Sequence, residues 1–141
     1  MRRGKEFLLR AEIMERRIDA ALRKVELFRS LAERVTSHWG KESVTHSRNV
    51  SANEDAIIQL MEVEEQLKQL CAEYGVIVSE ITAVLASLES REDERLLSDI
   101  FLKHQSFEQI AEREHVTKSC VYKRCDRALK ALEELLVSGQ E

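Results

Sequence analysis

Lys118, Lys123, Arg124, Arg127 and Lys130 fall within residues 117–130, where Asp126 is the sole acid. Five bases against one acid give this stretch a charge of +4, in a chain whose net charge is -4. Phosphate contacts are made by a local patch, so the local sign decides what the stretch can bind. Val121, Cys125, Ala128 and Leu132 recur through it at three- and four-residue spacing, which predicts an amphipathic helix. The opposite face displays Lys118, Ser119, Tyr122, Lys123 and Arg127, while Arg124 is flanked by the inward positions Val121 and Cys125. The N-terminal end of such a helix can enter the major groove of DNA and reach base edges, and basic side chains farther along meet phosphates. Thr117, Lys118, Ser119, Tyr122, Lys123, Arg124 and Arg127 are therefore the candidate DNA-binding residues, with double-stranded DNA as the partner.

A helix used in this way must be set at an angle by a tight turn and a preceding helix. Ser106 and Gln109 have capping-box spacing, which starts a helix at about residue 107. Ala111 supplies the small residue where two helices nearly touch. Four positions later the turn needs a residue that tolerates positive φ, and His115 stands there. Histidine is enriched among the non-glycine residues found in that region. Thr117 is placed to cap the next helix, to about Val137, and Val116 with Val121 has hydrophobic-staple spacing.

The run from Ser106 to Leu132, SFEQIAEREHVTKSCVYKRCDRALKAL, resembles region 4 of bacterial sigma factors and related helix-turn-helix regulators. The shared features are the pairs Ile110–Ala111, Val116–Thr117 and Ala128–Leu129. His115 in place of the usual glycine is the main departure. The whole layout, two long helices and then this module, is similar to small phage and prophage transcriptional regulators of Gram-positive bacteria. The resemblance implies major-groove binding by the helix from Thr117, with RNA polymerase as a further candidate partner. No segment resembles sigma region 2, so the chain does not read as a complete sigma factor.

The elements upstream read as long helices. The chain has no proline and four glycines, too few turn formers for a sandwich or barrel. Phe7, Ala11, Met14, Ile18, Ala21, Val25, Phe28, Ala32 and Val35 alternate four- and three-residue steps, with Leu8, Leu22 and Leu31 on the flanks. That 3.5-residue seam predicts coiled-coil-like packing of a helix from Lys5 to His38. Residues 40–53 read as a polar linker, opened by Gly40 at a helix end. A second helix is expected from Ser51 or Asn53, with Ser51 and Glu54 at capping-box spacing. Its seam runs through Ile57, Leu60, Leu67, Cys71, Tyr74, Val78, Ile81, Leu85 and Leu88, with Glu64 as the polar interruption. Val63, Leu70, Ile77 and Val84 widen that face, enough for more than one neighbour. Residues 1–41 hold 11 bases and 6 acids, and residues 51–89 hold one base and 8 acids. These charges suit an antiparallel hairpin, formed within one chain or between two. Ser90 with Asp93 then caps a short helix carrying Leu96, Leu97, Ile100 and Phe101 to about Lys103.

Several chemistries find no footing. Cys71, Cys120 and Cys125 form no CxxC pair, and with His104 and His115 they match no common zinc spacing. Cys71 and Cys125 sit on apolar seams and read as buried, reduced thiols. His38 and His46 near the linker read as solvent-facing. No phosphate loop, GxSxG, HExxH or carboxylate pair is present, so neither catalysis nor a cofactor is expected. No signal peptide and no stretch approaching 18 apolar residues is apparent, which points to a cytoplasmic protein without a membrane span.

The sequence thus predicts an all-α protein. Residues 1–89 form a helical hairpin or coiled-coil arm that oligomerises the chain, a dimer being favoured, and residues 90–141 form the helix-turn-helix module. A regulator of phage or prophage genes is the leading reading. A small-terminase-like DNA-packaging subunit and a structural coiled-coil scaffold are the alternatives.

Overall fold

The computed structural model describes residues 2–38 and 46–139. It is all-α, with no strand among the described residues. Helix α1 spans Arg2–His38 and α2 spans His46–Ala86. Helix α3 covers Arg91–Leu97 and runs into a π-helical turn at Ser98–Leu102. Helices α4, Phe107–Glu114, and α5, Lys118–Ser138, complete the chain. Two compact units emerge, one of Met14–Glu73 and one combining Met1–Ile13 with Tyr74–Glu141.

The Met14–Glu73 unit is an antiparallel pair of helices within one chain. Its seam on α1 is the expected one: Met14, Ala21, Val25 and Ala32 are buried and Ile18 and Phe28 are half-buried. On α2 the buried stripe differs from the expected seam. It passes through buried Ala56 and half-buried Leu60, Val63, Leu67 and Leu70, keeping Leu60 and Leu67 of the expected seam, while Ile57, Glu64 and Cys71 are exposed. Glu64 therefore does not interrupt the seam; it lies beside it and pairs with Arg29 at 3.5 Å. Because α2 is apolar on adjacent stripes, only the partner decides which stripe is buried. Helix α2 also starts earlier than the capping spacing suggests. Residues 46–53 are helical and Ser51 lies inside the helix, so the expected linker is shorter at its C-terminal end. Gly40 and the rest of that linker up to residue 45 lie outside the described residues, as do the side chains of Val35, His38 and His46.

The other unit has a single core. Leu8 and Ala11 of α1, Ile81 and Leu85 of α2, and Leu88 beyond it are buried together with Leu96 and Leu97 of α3. Ile110 and Ala111 of α4, and Val121, Cys125, Ala128, Leu129 and Leu132 of α5, close the same cluster. The compact unit therefore does not start at residue 90: it incorporates the first turns of α1 and the last turns of α2. Gly4 shows why. Its N–H donates to Glu133 Oε2 at 2.5 Å, satisfying an orphan donor of the first turn of α1. A Cβ at Gly4 would meet that oxygen at 3.3 Å and the Leu129 carbonyl at 3.4 Å, so a side chain here would press on the Glu133 carboxylate.

The segment Glu54–Ala86 is, by length and a mean hydropathy of 1.3, a helix long and apolar enough to cross a membrane, contrary to the expectation from the sequence. Only its C-terminal part has partners in the core: Ile81 and Leu85 are buried there, and Tyr74, Ile77, Val78 and Val84 pack half-buried against it, while Ile57, Ile58, Met61 and Val76 are exposed.

Candidate nucleic-acid interface

Helices α4 and α5 are built from local signals that can be followed atom by atom. Ser106 Oγ accepts from the Gln109 N–H at 3.1 Å, and Gln109 Oε1 accepts from the Ser106 N–H at 2.9 Å. This reciprocal pair fixes the start of α4 as the spacing predicts. At the other end His115 takes φ 57° and ψ 43°, the left-handed conformation expected for it. The Val116 N–H then donates to the Ala111 carbonyl at 3.0 Å, the six-residue bond of a Schellman turn. Thr117 caps α5, its hydroxyl accepting from the Cys120 N–H at 3.2 Å. Val116 packs against the core that buries Val121, so the entry angle of α5 is held by apolar contact as well as by hydrogen bonds.

The same core fixes which face of α5 is free. Thr117, Lys118, Ser119, Tyr122, Lys123 and Arg127 are exposed, and Arg124 is half-buried. Tyr122, 62% exposed, meets the Phe107 ring edge-on at 5.5 Å. Lys118 Nζ lies 3.5 Å from Glu108 Oε1. Both partners come from the first turn of α4. Arg124 and Arg127 turn to the other side of α5, where they line a cleft of about 130 Å³ with Glu92, Asp93, Arg113 and Glu114. Apart from Thr117, which caps the helix, the candidate residues thus divide into a Lys118–Ser119–Tyr122–Lys123 group and an Arg124–Arg127 group.

Sequence reasoning missed Asp99. The expected regular helix to Lys103 instead closes in a π-helical turn, with the Lys103 N–H donating to the Ser98 carbonyl at 3.0 Å. Asp99, 2% exposed, sits in that turn. Its carboxylate accepts from Arg113 Nη2 at 2.9 Å, with Lys103 Nζ at 3.6 Å and Arg95 Nε at 3.9 Å. Arg113 also donates to Gln105 Oε1 at 2.8 Å. This network ties α3 to α4 behind the exposed face of α5. The i,i+4 spacing of Arg95, Asp99 and Lys103 was the available signal. His104 ends the turn at φ 59°, a second left-handed histidine.

The cysteines divide differently from expectation. Cys125 is buried in the core, but Cys71 is exposed and Cys120 lies between these extremes. Burial pushes the Cys125 thiol above its ordinary range; the Asp126 carboxylate adds to the shift and Lys5 opposes it. No group of three or more His, Cys, Asp or Glu side chains among the described residues is placed to hold a metal ion.

No known family, curated protein or solved structure matches the chain.

Proposed function

We propose that the protein is a sequence-specific DNA-binding regulator that reads the major groove with the N-terminal end of α5 and acts as a homo-oligomer, with a dimer favoured. The observation that carries this reading is the grouping of Lys118, Ser119, Tyr122 and Lys123 in solvent at one helix end, presented by the His115 turn. Lysine and serine supply donors for base edges, and an exposed tyrosine supplies apolar area for a thymine methyl. Arg124 and Arg127 serve as flanking phosphate contacts. The resemblance to sigma region 4 adds transcription to the reading, with RNA polymerase as a candidate partner. The resemblance of the whole layout to small phage regulators adds phage or prophage genes, and the sequence expectation of a cytoplasmic setting goes with both.

Oligomerisation needs a surface other than the expected one. The seam from Phe7 to Ala32 is covered by α2 of the same chain. In the Met14–Glu73 unit the outward apolar residues are Leu22, Leu27, Leu31, Ile57, Ile58 and Met61, and these are the candidates for contact between copies.

The test is selection of bound fragments from random duplexes, with the mass of the free protein measured in solution. An enriched site and a dimer support the reading. A ring of eight or more chains favours the DNA-packaging alternative. Failure to retain any duplex leaves the structural scaffold.

A further inference from the structure

The first turn of α4 touches two of the four side chains grouped at the N-terminal end of α5. Phe107 meets Tyr122, and Glu108 meets Lys118. An acid at the second position of a helix has a local use, because it complements the positive end of the helix dipole. That use does not require contact with a side chain ten residues away. The Lys118–Glu108 pair is well solvated, with side chains 63% and 78% exposed, so it contributes little to stability and opens readily.

A carboxylate in this place acts on DNA in two ways. It competes with an incoming phosphate for the Lys118 ammonium, and it repels that phosphate directly. Binding to random DNA is almost wholly electrostatic and bears the full effect. At a preferred site the ammonium can instead form directed hydrogen bonds to a guanine edge, which compete better with the carboxylate. A repulsive element that penalises wrong partners more than the right one raises specificity without adding affinity.

We infer that Glu108 is a specificity-determining residue: its carboxylate, held against Lys118, suppresses binding to non-cognate duplex DNA. This rests on the DNA-binding reading of α5.

The experiment uses the full-length protein and its Glu108→Gln, Lys118→Ala and double variants. Each is titrated with a random duplex and with a duplex recovered by selection, across a range of salt. Glutamine keeps the shape and leaves the Ser106–Gln109 capping box intact. Glu108→Gln should bind random DNA roughly two- to fivefold more tightly, the range of one exposed ion pair. Its salt dependence should steepen by about one unit of slope, from one more neutralised phosphate. The selected duplex should gain less, so the ratio of the two affinities falls. In the Lys118→Ala background the gain from Glu108→Gln should shrink to that of the direct repulsion alone, because the ammonium the carboxylate competes for is gone. Unchanged random-duplex affinity and slope for Glu108→Gln would overturn the inference. So would an equal gain in the Lys118→Ala background, or weaker binding to both duplexes. A wild-type protein that binds no duplex removes the DNA reading itself, an outcome separate from the others and visible in the first titration.

Discussion

The Asp99 carboxylate accepts a hydrogen bond from Arg113 at 2.9 Å, joining the π-helical turn after α3 to the last turn of α4. Asp99 is almost fully buried, while Arg113 keeps about a third of its side chain in solvent. The two ends of the bond are therefore unequal. Asp99→Ala leaves the guanidinium able to turn outward, yet it removes the acceptor around which Arg95 and Lys103 also gather. It should cost about 1.5–3 kcal/mol, the range for a hydrogen bond to a charged group. Arg113→Ala leaves the buried carboxylate facing Lys103 and Arg95 and should cost less. Urea denaturation of both variants tests the order; an Arg113→Ala loss larger than that of Asp99→Ala would contradict it.

His115 occupies the left-handed region at φ 57°. Glycine enters that region without steric cost, so His115→Gly should be neutral or stabilising by up to about 1 kcal/mol. A β-branched residue cannot do so, and His115→Val should lose about 1–2 kcal/mol. Thermal melts of the pair test the turn: a clear loss with glycine, or none with valine, would remove the basis for the conformation.

How legible these features were depends on how local their causes are. The caps at Ser90, Ser106 and Thr117 and the left-handed His115 follow from neighbours three or four residues away, and the sequence alone predicts them. The free face of α5 follows from the spacing of Val121, Cys125, Ala128 and Leu132. The stripe of α2 that meets α1 does not follow in this way. Val63 and Glu64 are adjacent, both stripes carry apolar residues, and the choice is made by α1. Long-range joints were invisible for the same reason. Gly4 and Glu133 meet across nearly the whole sequence, and their contact builds the N-terminus of α1 into the core around α5. A boundary drawn near residue 90 from composition has no knowledge of that contact.

Cys125 provides a pH test. Its thiol lies above the ordinary range through burial first and Asp126 second, so folding disfavours the thiolate. The unfolded chain releases this proton at about pH 8.5. Below that value the contribution to stability is fully present, and it declines as pH rises from there towards the folded value. Stability measured by urea denaturation at pH 7.5 and 9.5 should fall more for the wild type than for Cys125→Ala. Equal falls would refute the link. The same burial predicts that exposed Cys71 reacts with a thiol reagent well before Cys125 does in the native state.

Self-association through the outward apolar residues of the Met14–Glu73 unit predicts a separable phenotype. Leu27 is 56% exposed and Met61 is 64% exposed. Charging them removes little intrachain packing, so Leu27→Glu with Met61→Glu should keep the helical signal while lowering the mass in sedimentation. Ile18→Asp, by contrast, places a charge in the intrachain seam and should destabilise the fold. A double variant that sediments like the wild type would place the contact elsewhere.

The candidate residues on α5 should part in their response to DNA sequence by their place along the helix. Lys118, Ser119 and Tyr122 belong to the first turn and a half of the helix, where side chains approach the groove floor. Replacing one of them should cost about 1–3 kcal/mol on a selected duplex and relax the choice of base. Tyr122 is braced by Phe107, so Phe107→Ala should reproduce part of the Tyr122→Ala loss without removing the tyrosine. Lys123 stands farther along on the same face, and Arg127 stands on the cleft side beside Arg124. Both should act on phosphate. Alanine at either should weaken selected and random duplexes alike and lower the salt slope by roughly one unit. Arg124 is half-buried, so its replacement should lower stability as well as affinity. Anisotropy titrations of each single variant across a salt series separate these outcomes. If Lys118→Ala and Lys123→Ala leave both duplexes bound as before, α5 does not face DNA. The exposed lysines are then a solvated surface of a scaffold, and the oligomerising unit becomes the functional part of the chain.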